Sequence, residues 1–298
     1  MAAAPFEVRY ADAPLGAEII GLDLSHDIED AAFCEIEKVF LERGVICIRG
    51  QQLTPAQHVA FSRRFGEVEA SSNHAYAVLE GHPEVVVISN VIENGRNIGI
   101  ADAGQLWHTD SSYMKVPTRC SLLYAKEVPH AENGEPLGDT LFASMDAAYD
   151  GLSAEIKQRL GKLHAVHSFT VQYERRLADA RARGEQRPAL TSERKAKVPD
   201  MQHPVVRTHP ATGRKCIYVN GAFVIRIAEL PAGDSAELCD YLISFSTQPR
   251  FVYTHKWQVG DVLVWDNCAT QHFALPNYAL PQRRYMLRTT VKGEQPPF

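Results

Sequence analysis

The chain has no Cys-x-x-Cys pair: its six cysteines, Cys34, Cys47, Cys120, Cys216, Cys239 and Cys268, stand singly along 298 residues. That spacing builds neither a zinc ribbon nor a disulfide framework, and it fits small core residues kept reduced. A basic excess is also missing. The net charge is -5, with 31 Lys+Arg against 36 Asp+Glu, so the chain lacks a nucleic-acid footprint, although a locally positive pocket for small anions stays open. No apolar run reaches membrane-spanning length, and the start, Met1-Ala2-Ala3-Ala4-Pro5-Phe6, has neither the charged nor the apolar region of a signal peptide. These absences lead us to expect a cytoplasmic protein that binds neither nucleic acid nor membrane. No Pro-rich or Gly/Ser linker and no internal repeat divides the sequence, and its 45% hydrophobic content supports a substantial core, so one domain is expected over residues 1–298.

What is present is concentrated in Trp107-His108-Thr109-Asp110, a lone distant His272, and Arg283, Arg284 and Arg288 beyond it. If residues 105 to 114 form a strand, alternation sends His108 and Asp110 to one face and Thr109 to the other. His272 follows a strong strand signal, Asp261-Val262-Leu263-Val264-Trp265, ended by the turn-prone Asp266-Asn267. Two imidazoles and a carboxylate with three positions left open are what a non-haem Fe(II) site requires. The same ligand types also suit a zinc hydrolase with a bound water, and a non-catalytic small-molecule-binding protein is a third reading. Alternation puts Arg284, Met286 and Arg288 on one face and Arg283, Tyr285 and Leu287 on the other. A planar guanidinium pairs with a carboxylate through two parallel hydrogen bonds, so Arg284 and Arg288 are the expected interior residues.

Seven ordered segments share a pattern. They are Leu15-Gly16-Ala17-Glu18-Ile19, Phe61-Ser62-Arg63-Arg64-Phe65-Gly66, Trp107-His108-Thr109-Asp110, Gly138-Asp139-Thr140-Leu141-Phe142, His209-Pro210-Ala211-Thr212-Gly213-Arg214, Trp265-Asp266-Asn267 and Arg288-Thr289-Thr290-Val291. Together they resemble the Fe(II)- and 2-oxoglutarate-dependent dioxygenases of the taurine dioxygenase and 2,4-dichlorophenoxyacetate dioxygenase type, over nearly the whole length. The resemblance implies that His108, Asp110 and His272 bind iron. It implies that Arg284, helped by Thr140, holds the distal carboxylate of 2-oxoglutarate, with Arg288 near the proximal carboxylate or an anionic substrate group. O2 is then the other co-substrate, and the products are a hydroxylated aliphatic carbon, succinate and CO2. Hydroxylation next to oxygen, nitrogen or sulfur leads to bond cleavage. An intact Asp110 favours hydroxylation over halogenation, because related halogenases lack that carboxylate.

For the substrate, the resemblance points to a small carboxylate- or sulfonate-bearing molecule. Asn73, His74 and Tyr76 are candidate donors to it, with Arg288, and Phe223 is a candidate pocket wall. Taurine enzymes carry an acid-amide pair where this chain has Ala103-Gly104, which argues against taurine. Family members are often dimers or tetramers, so a homo-oligomer is expected.

Many short strands with helices at the start and in insertions suggest a mainly β fold, an antiparallel jelly roll flanked by helices. The resemblance specifies a double-stranded β-helix, cupin-like core. Helices are expected from Ile28 to Arg43, ended by Gly44, and from Pro55 to Phe65 with Thr54 as N-cap. The stretch 172–199 is dense in charge without a sustained apolar period. It reads as a solvated helix and loop, and functionally as a lid over the metal. His164 and His167, three apart, could share a helix face as zinc ligands, but no third ligand accompanies them at a convincing spacing, and a satisfied structural role is the stronger reading.

Overall fold

The computed structural model describes residues 6–70, 77–182, 184 and 188–298. The first long helix runs from Asp30 to Arg43 and buries Phe33, Ile36, Val39 and Phe40, one face at helical spacing. Gly44, in the left-handed region at φ 64°, ends it with its N–H on the Phe40 carbonyl. The second helix, Pro55–Arg63, starts in a capping box: Gln57 donates its N–H to the Thr54 hydroxyl, and the Gln57 side chain accepts the Thr54 N–H.

These helices cover one face of an eight-stranded sheet. Its order is Glu7–Tyr10, Ala17–Ile20, Val45–Ile48, Val262–Asp266, Cys120–Glu127, Tyr285–Val291, His82–Ser89, Val78–Leu79. All pairings are antiparallel except Ala17–Ile20 with Val45–Ile48. Alternation along these strands builds two cores at once. Ile46, Ile48, Leu122, Tyr124, Val262 and Val264 pack with the helices, Phe40 and Phe65 among them. Val45, Cys47, Leu123, Ala125, Leu263 and Trp265 point the other way, into a second core that includes Phe142 and Trp257.

Phe142 belongs to the smaller facing sheet, ordered Val252–His255, Thr140–Ser144, Thr270–Ala274. Behind it a third core gathers Met145, Ala148, Leu152, Leu160, Leu238 and Leu242, from helices Met145–Asp150, Ala154–Leu160 and Ala232–Ser246 and the turn at Leu152. The fold is therefore the mainly β jelly roll with flanking helices that was expected, built from open rather than closed sheets. No helix among the described residues is long and apolar enough to cross a membrane.

Two expectations fail locally. Residues 105–114 form turns and one isolated bridge instead of a strand. His164 and His167 lie on a strand, His164–His167, where residues three apart face opposite ways, so they share no helix face.

Because its hydroxyl serves only the start of the Pro55–Arg63 helix, Thr54→Ala should lower the unfolding free energy by about 1 kcal/mol, read as a shifted urea midpoint with an unchanged slope.

Candidate active site

His108 meets His272 through reciprocal backbone hydrogen bonds, His108 N–H to the His272 carbonyl at 3.1 Å and His272 N–H to the His108 carbonyl at 2.7 Å. The chain then turns away. Ser111 takes the left-handed region at φ 54° and accepts the Met114 N–H at 2.9 Å, which is why no strand forms here. His108 and Asp110 nevertheless fall on one side, while Thr109 turns to the other and donates to the Asn267 carbonyl at 2.7 Å. His272 sits mid-strand, opposite Phe142 in register, stacked on its ring and packed against Trp265 at 5.0 Å. Potential ligand atoms of His108, Asp110 and His272 all lie within 4.8 Å of one another.

The protonation states suit metal ligation. His108 Nδ1 lies 2.7 Å from the Leu106 carbonyl and 3.1 Å from that of His272. Carbonyls only accept, so Nδ1 carries the hydrogen and Nε2 presents its lone pair toward Asp110, 3.7 Å away. Burial pushes both imidazoles below their ordinary value, His272 strongly, so both are neutral. Nδ1 of His272 is buried without a partner among the described residues. For Asp110, burial alone would raise the pKa, but the Arg288 guanidinium beside it and the Ser121 hydroxyl hold it low, at about 2. Two neutral imidazoles and an ionised carboxylate around one point fit a divalent metal of the iron type.

Asn267 organises this corner. Its side-chain carbonyl accepts from the Asp110 N–H and the Trp265 indole, and its amide donates to the Thr118 and Ser121 hydroxyls. Ser121 in turn donates to Asp110 Oδ2 at 2.7 Å.

The arginines divide as alternation predicts. Arg283 is outside, paired with Glu127 at 2.7 Å. Arg284 is 4% exposed, its Nε is unpartnered, and no carboxylate of a described residue lies within ion-pair distance. Its guanidinium lies 5.8 Å from the Trp257 ring and 5.9 Å from that of Tyr278. Thr140 is buried, and its hydroxyl oxygen accepts from the Trp257 indole at 3.0 Å. Arg288 Nη1 lies 3.6 Å from Asp110 Oδ1.

A cavity of about 280 Å³ opens on His108 and Asp110. Phe223 lines it with Tyr113 and Phe169, ring centroids 4.9 Å apart in each pair with Tyr113. Its roof is one face of the Phe169–Ala182 helix, carrying Phe169, Gln172, Tyr173 and Arg176. An Arg176–Asp102 ion pair ties that helix to the opposite rim. Ala103 and Gly104 also line the cavity. At Gly104, φ is +79° and an added Cβ would stand 3.3 Å from Ala274 Cβ and 3.6 Å from His108 Cε1. Asn73, His74 and Tyr76 lie outside the described residues.

The family model described as taurine catabolism dioxygenase TauD, TfdA family matches residues 7–290. The chain belongs to that family. Pentalenolactone F synthase of Streptomyces arenae is 34% identical, over 95% of this chain and 94% of its own length. The alpha-ketoglutarate-dependent 2,4-dichlorophenoxyacetate dioxygenase of Cupriavidus pinatubonensis is 33% identical, over 92% of this chain and 93% of its own. The crystal structure of AAD-2 in complex with Mn(II) and N-oxalylglycine aligns with a TM-score of 0.78 at 29% identity, covering 98% of this chain and 99% of that one.

Among the described residues of this TauD/TfdA-family chain, two other groups bring three possible donors within 4.8 Å, Cys47-His255-Asp261 and His209-Asp266-Cys268. In both, the imidazole nitrogens are already used. His255 bonds Asp261 and the Tyr253 hydroxyl, and His209 bonds Asp266 and the N–H groups of Ala211 and Thr212. They are hydrogen-bond networks of the core. His167, behind the Ser111 turn, bonds the Ser112 hydroxyl at 3.0 Å, and His164 bonds Glu229.

Ser121→Ala removes the donor to Asp110 Oδ2 and the acceptor of one Asn267 amide hydrogen. A Co(II) titration should show affinity lowered by about 10-fold with an unchanged far-UV spectrum; full affinity would remove Asp110 from the ligand set. A second expectation follows from burial, which pushes His58 down to about 4 and His167 down to about 3. Between those values and about 6.5 the unfolded chain binds protons that the folded chain refuses, so stability declines as pH falls through this window, by on the order of 3 kcal/mol per group at pH 4. Urea midpoints flat from pH 8 to 7 and falling from 6.5 to 4 would bear this out; a flat profile to pH 4 would contradict it.

Proposed function

We propose that the protein is an iron(II)- and 2-oxoglutarate-dependent dioxygenase that hydroxylates an aliphatic C–H of a small anionic substrate, releasing succinate and CO2. The observation that carries this reading is Arg284. A guanidinium buried without a carboxylate is costly, and an anionic ligand that supplies two oxygens removes the cost. It stands in the same interior as the His108, Asp110 and His272 triad, which a binding protein or a simple hydrolase does not require.

Iron held by His108, Asp110 and His272 would supply the oxygen chemistry, in which 2-oxoglutarate is oxidatively decarboxylated while one oxygen atom goes to the substrate carbon. The protein's share is orientation. Leu106 fixes the His108 tautomer, and Ser121 and Asn267 hold the Asp110 carboxylate and backbone. Arg284 and Thr140 take the distal carboxylate of 2-oxoglutarate, with the threonine hydroxyl as donor. Arg288, beside Asp110, faces the proximal carboxylate or the anionic end of the substrate.

The substrate lies in the 280 Å³ cavity against Tyr113, Phe169 and Phe223. The Phe169–Ala182 helix acts as its lid, fastened by Arg176 to Asp102, and keeps water from the reacting carbon. Gly104 offers no side chain to an ammonium group, and Asp102 is engaged by Arg176, so the anionic substrates suggested by the phenoxyacetate relative suit this cavity better than taurine. Six unpaired cysteines, five of them at least partly buried, fit a reducing cytoplasm.

The test is succinate release from 2-oxoglutarate with Fe(II) and O2 across a panel of small carboxylates and sulfonates. Arg284→Ala should raise the KM for 2-oxoglutarate by roughly 100-fold or more, the cost of breaking a buried charge pair, and Asp110→Ala should abolish turnover. Activity that survives without 2-oxoglutarate or O2 would instead identify a hydrolase.

A further inference from the structure

We propose that Trp257 is a positioning residue for 2-oxoglutarate, aligning the Thr140 hydroxyl and the Arg284 guanidinium on one carboxylate. The inference rests on the reading of Thr140 and Arg284 as that subsite and adds a residue to it. Trp257 is 1% exposed, and its indole N–H meets the Thr140 oxygen at 3.0 Å. An indole nitrogen only donates. The Thr140 oxygen must therefore accept from it, and the hydroxyl hydrogen is turned elsewhere, free to donate to a ligand. Without that contact the hydroxyl rotates among staggered positions, and some of them present a lone pair to an incoming carboxylate.

The same ring steers Arg284. The guanidinium carbon is 5.8 Å from the Trp257 ring and 5.9 Å from the Tyr278 ring, so two π systems, rather than an acid, hold the cation. That leaves the N–H groups not taken by the Tyr278 hydroxyl, the unpartnered Nε–H among them, for the co-substrate. One side chain thus sets both donors.

Trp257 is itself held from behind. The His255 ring meets it edge-on at 4.6 Å and 86°. His255 lies 3.0 Å from Asp261 Oδ2 and 3.2 Å from the Tyr253 hydroxyl. Asp261 Oδ2 also accepts from the Gln258 N–H and from Arg49, both at 2.9 Å. The contacts run without a gap from the half-buried Arg49 to the oxygen of Thr140. This explains a dense buried polar network that has no ligand of its own.

Trp257→Phe keeps an aromatic ring beside Arg284 and deletes the N–H, together with part of the bulk of the buried indole. Calorimetric titration of 2-oxoglutarate into Mn(II)-loaded protein should show affinity lowered about fivefold to tenfold, the worth of one hydrogen bond. The KM for 2-oxoglutarate should rise by the same factor, with kcat and the KM of the primary substrate within about twofold of wild type. Thr140→Val should cost as much, and Trp257→Phe should add little in the Thr140→Val background, because both act through one hydroxyl.

Wild-type affinity in Trp257→Phe, or losses that multiply in the double variant, would overturn the proposal, as would a fall in kcat and melting temperature with a rise in both KM values. If Trp257→Phe fails to fold, Thr140→Val against Thr140→Ser reads the same hydroxyl, and equal affinities would overturn it. Failure of the underlying reading looks different: wild type would not bind 2-oxoglutarate, or Arg284→Ala would bind it as well as wild type.

Discussion

The side-chain amide of Asn267 is bonded on all sides: Asp110 N–H and the Trp265 indole on its oxygen, Thr118 and Ser121 on its nitrogen. Its backbone carbonyl holds Thr109 as well. Through that one residue the loop carrying two of the three candidate ligands is stitched to the end of the Val262–Asp266 strand, five residues before the third. A loop anchored only by its own turn would let Asp110 swing. Anchored here, it brings the carboxylate to the imidazoles without strand pairing beyond a single bridge. Buried amides that satisfy four partners are rigid because every loss would leave an unpaired group in low dielectric.

The jelly roll makes this economical. Alternation in the large sheet sends one set of side chains to the helices and the other inward, and the inward set carries both the hydrophobic filling and the site. Met286 and Arg288 belong to the same strand face, one filling the core and the other reaching Asp110. Arg284, just before that strand, is drawn into the same interior. The chemistry therefore occupies gaps in a packed interior and needs no separate module.

Much of this is legible in the sequence, though not always for the reason that alternation supplies. The His-x-Asp spacing predicts two ligands on one side, and they are, but a bridge and a turn place them. Nothing in Ser111-Ser112-Tyr113 announces a left-handed serine, because serine carries no bias toward that region as glycine does. The alternation of Arg283 against Arg284 and Arg288 reads correctly, although the pairing with Cys120–Glu127 shifts register between Tyr285 and Met286.

The roofing helix starts at Phe169, ahead of the charged run that hints at a lid, because its cavity-facing residues are spread thinly among charges. His164 and His167 mislead because a three-residue spacing looks helical while Val166 and its neighbours pair as a strand. Asn267 and Trp257 gave no sign of their roles. Both act through partners far away in the chain, which a single sequence does not reveal.

The reciprocal backbone hydrogen bonds between His108 and His272 have a consequence for metal choice. They hold the two imidazoles together before any ion arrives, so occupancy is not coupled to folding as it is in a zinc finger. A triad already assembled does not reshape itself to reject a competitor. Since nitrogen and oxygen donors favour the later first-row ions over Fe(II), such a centre is open to mismetallation. On the proposed reading, the relative supply of free ions, rather than the protein's own preference, would then decide which copies hold iron.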